Sequence, residues 1–315
     1  MDELKIKAGQ NVSIIKNLDK SITLFIEQKE ETESIAILYA NQNDSGDAVK
    51  RKIIAVYLAG YKIIKIKTKG LKILSEHVAS IRELVRSSMI GTEIVESNSE
   101  IMTVQVLTTL PDLSFESALT RMYLMTATMI KESVEALENV DLVYAEEIIN
   151  MDDEVDRFGL YIRRNLILAV ENKSILQEMG LKRPSECIEY RTIVSKIERI
   201  GDHAGLIAKR IKFIKEDIES HIDKIKKLSE MVLQVFEESI RSVQNNDFQK
   251  AEKAAEKIKS IVDEEEKIIS SIKDSEKNST VIRFVLEDLR RIAEYSSDIA
   301  EVAIDENIHS IINKK

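Results

Sequence analysis

From Phe115 to Ile304 apolar residues recur at alternating intervals of four and three. Ile193, Ile197, Ile200, Ala204, Ile207, Ile211 and Ile214 step by 4, 3, 4, 3, 4 and 3. Val285, Leu289, Ile292, Ser296, Ile299 and Ala303 step by 4, 3, 4, 3 and 4. A seven-residue repeat of this kind draws one apolar seam along each helix. Such seams bury one another when helices lie side by side at shallow crossing angles. With nine Gly and two Pro in 315 residues, little in the chain would interrupt long helices.

The pattern is duplicated. Asn139-Val140-Asp141 precedes one helical stretch, and Asn245-Asn246-Asp247 precedes another 106 residues later. KIERIGDHAGLIAK (196–209) aligns without gaps on DLRRIAEYSSDIAE (288–301), only 92 residues later. The difference falls on the connection before the third helix, ENKSILQEMGLKRPSE in the first copy and DSEKNS in the second. Loops tolerate such changes in length. The sequence therefore predicts helices over 116–140, 142–170 and 185–214, and again over 217–245, 248–273 and 279–304. That is a mainly α chain of two tandem three-helix bundles, 111–215 and 216–315, with helices roughly 40 Å long.

Ahead of the bundles the periodicity is different. VSII, SITLFIEQ and SIAILYA alternate as strands do, with NLDK as a turn, and predict a β unit over 1–40. After the turn-rich NQNDSGD, residues 46–110 read as a small α/β module. Its parts are a helix in AVKRKIIAVYLAGY, a strand in KIIKIKTKG, a helix in LKILSEHVASIRELVRSSMIG, and a closing hairpin of TEIVESN and EIMTVQVLT. Leu110-Pro111 marks its end.

Charge separates the two parts. Residues 1–110 carry 15 basic and 14 acidic side chains, and residues 111–315 carry 31 and 41. An acidic helical body repels nucleic acid and suits cations or basic protein partners. Cys187 is the single cysteine, which excludes an intramolecular disulfide and a Cys-based zinc site. No sequence neighbour is placed to activate its thiol, so it reads as inert. No apolar stretch approaches the length of a membrane span, and MDELKIKAGQ lacks the plan of a signal peptide. The expected compartment is the cytoplasm, without membrane insertion. Phosphate-cradling Gly-rich loops, nucleophile elbows and His-rich motifs are absent from the sequence, which points to a regulator and away from an enzyme.

Two acidic pairs invite a closer look. Asp152 and Asp156 lie i,i+4 beside the seam of the second helix, and Glu198 and Asp202 lie i,i+4 beside the seam of the third. Like charges at this spacing disfavour a helix unless a cation offsets them, and carboxylate oxygens suit hard ions. With 55 acids in 315 residues, about nine such pairs arise by chance, so spacing alone does not single these out. Arg157 and Arg199 could equally pair with neighbouring carboxylates on a solvated face. His203 projects about 100° round the helix from Asp202, which argues against its being a ligand beside it. His77, His221 and His309 stand isolated and read as structural. Lys62, Lys65, Lys67 and Lys69 along a strand read as protection of a sheet edge, with an anion or nucleic-acid contact as the alternative.

DDEVDR (152–157) and ERIGDHAGLIAK (198–209) resemble the signature stretches of the PhoU family of phosphate-uptake regulators, which also has a tandem triplet of helices. Residues 115–136, FESALTRMYLMTATMIKESVEA, and the upstream IIAVYLAGYKIIKI…EIVE (53–96) resemble archaeal-type members. KIKAGQNVSIIKNLDKSITLFI resembles the second half of an AbrB-like swapped-hairpin domain, without the basic first half.

The resemblance implies a cytoplasmic regulator of phosphate homeostasis that restrains high-affinity import. Its implied partners are the ATPase of a phosphate transporter or a signalling protein, and a homodimer is expected. It also implies a divalent or ferric ion (iron, zinc, manganese or magnesium) on E/D-x-x-x-D motifs, whose positions here are Asp152, Asp156, Glu198 and Asp202. The second copy departs from the motif. Arg290 and Glu294 stand opposite Glu198 and Asp202, and the DEEEK run from Asp263, with Lys267, is read opposite Asp152 and Asp156. Metal is therefore expected on the first copy. The competing expectations are a DNA-binding transcriptional regulator acting through a dimeric N-terminal β unit, and a metal-dependent hydrolase using the acidic flank.

Overall fold

The computed structural model describes residues 12–16, 22–26, 34–69, 72–107, 113–215 and 218–307. The expectations for His309 and for a boundary at Leu110-Pro111 fall outside these residues. Strands β1 (Val12–Lys16) and β2 (Ile22–Ile26) pair antiparallel, with Val12 opposite Ile26. The next elements are β3 (Ile35–Tyr39), α1 (Gly46–Leu58), β4 (Ile63–Lys67), α2 (Ser75–Ser88), β5 (Thr92–Ser97) and β6 (Ile101–Val106). They form one sheet in the order β3-β4-β6-β5, with β3 parallel to β4 and the other pairs antiparallel.

β3, read from the sequence with the N-terminal β unit, is thus the edge strand of the α/β module. A parallel neighbour needs a crossover between strands, and α1, N-capped by the Ser45 hydroxyl, supplies it. Ile64, Ile66, Met102 and Val104 are buried together with Val49, Ile53 and Tyr57 of α1 and Ile81 of α2. The edge reading of the lysines is overturned. β4 lies between β3 and β6, so Lys65 and Lys67 are interior to the sheet. In register with Ile37 and Tyr39, they sit on the other face from buried Ile64 and Ile66; that face is open at β3, where Ile35, Ile37 and Tyr39 are exposed.

The first helical triplet is α3 (Phe115–Asn139), α4 (Leu142–Glu171) and α6 (Pro184–Arg210), and the second is α7 (Glu219–Asn245), α8 (Phe248–Ser271) and α9 (Ser279–Asn307). The predicted helices stand within a few residues at each end. Two details differ. A short helix, α5 (Lys173–Glu178), forms in the long connection of the first copy, where Asn172 caps it by accepting from the Ser174 and Ile175 amides. A 3-10 turn over Ile211–Phe213 ends the helix expected to reach 214.

The duplication is visible in the backbone. Val140 and Asn246 end α3 and α7 in the left-handed region, with φ of 50° and 51°. Asp141 and Asp247 then cap α4 and α8 through their side chains. These matched caps set the register of α4 on α8 at 106 residues. Under it Ala145, Ile148, Val155 and Ile162 fall on Ala251, Ala254, Ile261 and Ile268, all buried. The second copy therefore presents Ile258 and Val262 opposite Asp152 and Asp156, and Glu265 opposite Gly159. The placement of Lys267 and the DEEEK run opposite the acidic pair is corrected accordingly.

The two triplets share one apolar core that runs from Phe115 to Ala303. α6 packs on α9 and α3 on α7, while α4 flanks α3 and α6 and α8 flanks α7 and α9. The α/β module docks on α4. Leu160 joins the module's core. Arg164, buried, donates to the carbonyls of Tyr57, Gly60 and Tyr61 at the end of α1 and stacks over the Tyr57 ring at 4.5 Å. Gly60 has a φ of 93°, which favours glycine, and a Cβ there would also press on the end of the Leu168 side chain. Among the described residues no helix is long and apolar enough to cross a membrane.

Candidate metal centre in the first repeat

The apolar seam of α6 turns Ile193, Ile197, Ile200, Ala204 and Ile207 into the core. This places Glu198 and Asp202 on the flank that meets α4. On α4 the buried Val155 and Ile162 do the same for Asp152 and Asp156. The structure thus turns all four sequence-predicted carboxylates towards one crevice between two antiparallel helices. Small residues let the helices close there. Gly159 faces Glu198, so that a side chain at 159 would collide with the carboxylate. A Cβ on Gly201 or Gly205 would fall 3.2 or 3.4 Å from the Asp152 carboxylate oxygens.

Electrostatics make the crevice unusual. Burial pushes the Asp152 carboxyl up to about 6, with Asp202 and Asp156 adding to the shift. Burial pushes Glu198 up to about 7, opposed by Arg163 and reinforced by Asp156 and Asp202. Asp156 stays exposed on α4, yet its carboxyl is also raised, first by partial loss of solvent and then by Asp202. The Oδ1 atom of Asp152 is buried without a hydrogen-bond donor. Negative charge confined in a partly desolvated crevice is what a bound cation relieves.

Two guanidinium groups now provide part of that relief. Arg163 of α4 stands 2.9 Å from Glu198 Oε1, and Arg199 stands 3.3 Å from Asp202. Arg157 is turned away, onto Glu154 at 3.3 Å. Among the described residues no three His, Cys, Asp or Glu side chains converge into a ready cage. The donor set nevertheless fits a hard cation. All four groups are carboxylates, one has an orphaned buried oxygen, and an ion of the magnesium or manganese kind completes its shell with water.

The three described histidines make structural contacts. His203 donates its Nδ1 proton across to Asp288 of α9 at 2.9 Å, away from the carboxylates. His77 is fully buried and bonds the Asp44 carbonyl, and His221 pairs with Glu276. Cys187 is buried, which pushes its thiol pKa up. Sequence reasoning missed Arg163 and Gly159. Both lie within a turn or two of Asp156 on α4, but only the approach of α6 shows that they serve Glu198.

The second repeat has filled the equivalent place. Arg290 binds Glu265, which is buried, at 3.1 Å and Glu294 at 2.7 Å, while Ile258 and Val262 replace the aspartates. Arg291 adds a second cation, 2.9 Å from Glu294, so two guanidinium groups offset the two carboxylates where the first repeat has an excess of acids.

A chain of two tandem three-helix repeats belongs to a recognisable class. The PhoU domain family matches residues 119–211 and 225–303, and the chain belongs to that family. It is 29% identical over 204 residues to a phosphate-specific transport system accessory protein PhoU homolog of Clostridium acetobutylicum, covering 60% of this chain and 88% of that one. The crystal structure of the phosphate transport system regulatory protein PhoU from Streptococcus pneumoniae shares the fold with a TM-score of 0.53 at 21% identity, over 64% of this chain and 96% of its own. That of PhoU from Pseudomonas aeruginosa does so with a TM-score of 0.53 at 20% identity, over 64% and 97%. The family match lies on the helical repeats and begins after the α/β module.

Proposed function

We propose that this chain regulates phosphate uptake by binding components of a phosphate transport or signalling system, with a hard cation held by Asp152, Asp156, Glu198 and Asp202. The regulatory part is supported by family membership and by the Clostridium relative, a phosphate-specific transport accessory protein. The cation part is carried by one observation, the desolvated crevice in which Asp152 keeps a buried oxygen without a donor. A bound cation would supply positive charge that lets α4 and α6 approach without protonating their carboxylates. Arg163 would be released from Glu198 as the cation took its place, so occupancy would alter the charge that α4 presents to a partner.

The test combines elemental analysis of the purified chain with affinity capture from its own cells. Retained divalent or ferric ion, lost in the Asp156→Ala, Asp202→Ala double variant of unchanged helical content, is expected. Metal-free protein at neutral pH with added manganese would remove the cation from the reading. Capture of neither a transporter ATPase nor a signalling protein would remove the partner. Light scattering on the same sample tests the homodimer.

A further inference from the structure

A second polar concavity opens between α4 and α6, and it has the opposite sign. A cleft of about 290 Å³ is lined by Arg163 of α4 and by Ile188, Arg191, Thr192, Ser195 and Lys196 of α6. The five α6 positions recur at intervals of three and one, which keeps them on one helix face. Three cations line the cleft and no acid does, in a helical body whose acids outnumber its bases.

Two of the cations are held in place from behind. Arg163 is anchored by Glu198 at 2.9 Å. Lys196 is anchored by Asp298 of α9 at 2.6 Å and lies over the Tyr295 ring at 5.1 Å. Arg191 forms no ion pair among the described residues, and the Ser195 hydroxyl no hydrogen bond there. The Nε of Arg163 is buried with no acceptor. The Thr192 hydroxyl is spent on the Ile188 carbonyl at 3.1 Å, so Ser195 supplies the spare hydroxyl.

We propose that this cleft binds a phosphate-class oxyanion, as inorganic phosphate or as the terminal group of a phosphate monoester. Arginine forks and a hydroxyl match the several acceptor oxygens of a tetrahedral anion, and they do so better than a lone ammonium would. Anchored guanidinium and ammonium groups lose less side-chain freedom on binding than free ones. The volume accommodates such an anion together with water or a small organic group, for which exposed Ile188 offers an apolar wall. The inference goes beyond the regulatory reading and stands without the cation, although Arg163 belongs to both sites through Glu198.

Calorimetric titration of the full chain in the presence of a chelator tests it, so that the outcome is independent of metal. Saturable binding of inorganic phosphate or of adenosine monophosphate, and none of adenosine, is expected. Arg191→Gln should weaken it about tenfold, as for loss of one charged hydrogen-bonding partner. The helical content of that variant should be unchanged, because Arg191 is exposed. Tighter binding of the nucleotide would assign the cleft to a monoester, and tighter binding of phosphate to the free ion. Absence of saturable binding for both ligands, or binding undiminished by both Arg191→Gln and Lys196→Gln, overturns the proposal.

Discussion

Glu198 of α6 lies directly over Gly159 of α4, in the space that a side chain at 159 would occupy. The glycine therefore sets how closely α6 can approach α4, and with it the burial that raises the Glu198 carboxyl.

Replacing Gly159 by alanine should push the Glu198 carboxylate aside and, after the roughly 1 kcal/mol that alanine adds to helix propensity, cost up to about 2 kcal/mol, read as a lower denaturation midpoint. Combining it with Glu198→Ala should recover part of the loss, because the two changes meet at one contact. Additive losses in the double variant would show that Glu198 does not occupy the space above Gly159.

The raised carboxyls give a signed pH dependence. A Glu198 pKa of about 7 against an ordinary 4.5 means that the native chain binds this proton more tightly than the unfolded one. Its contribution to stability is present below about pH 4.5 and is lost as pH rises through about 7. Asp152 acts in the same direction, between 3.8 and about 6. Glu198→Gln should therefore flatten the fall in denaturation midpoint across this window relative to the parent chain. An unchanged slope would contradict the shift.

Manganese or magnesium should act on the same carboxylates. Added at neutral pH, it should raise the denaturation midpoint of the parent chain and lose most of that effect as pH falls below about 6, where Asp152 takes up its proton. The Asp152→Asn variant should respond less at every pH.

Arg164 ties the α/β module to the bundle, with its guanidinium on three carbonyls of residues 57–61. Arg164→Met should cost about 2–4 kcal/mol, since those acceptors lose a charged donor in a buried place. Hydrogen exchange should quicken in the last turn of α1 and around Gly60. Equal protection in both proteins would show that the module is held by its apolar contact with Leu160 alone.

Asp288 of α9 is buried and receives both His203 and Arg210 of α6. This ion network joins the two repeats. Asp288→Ala should cost about 3 kcal/mol, the low end for breaking a buried pair, because Arg210 keeps some access to solvent. A change of less than half of that, measured by chemical denaturation, would mean that the shared apolar core alone holds α6 on α9.

Much of this architecture was legible along the chain because helical structure is local. The 4,3 spacing of Ile193 to Ile207 and the capping Asp141 and Asp247 act within a few residues, and the helices fall where these signals place them. The short α5 was read as loop because its apolar pattern spans a single turn. β3 was assigned to the preceding strands because alternation reports that a residue is in a strand without naming its neighbour. The lysines of β4 misled for the same reason, since edge or interior position is a property of the sheet.

At the candidate site the sequence by itself determined which residues carry charge and which helix face each occupies, so Asp152, Asp156, Glu198 and Asp202 could be named from one strand of text. Only the tertiary structure decided what those faces meet. Packing of α4 on α6 brought two ordinary i,i+4 pairs together in one partly desolvated crevice, gave Glu198 its arginine at position 163, and set its carboxylate over Gly159. The cap-defined register of α8 on α4 put Ile258 and Val262 where the second copy would need acids. Charge and helical phase are written residue by residue, whereas desolvation depends on the distance between helices, and that distance is set by the whole core.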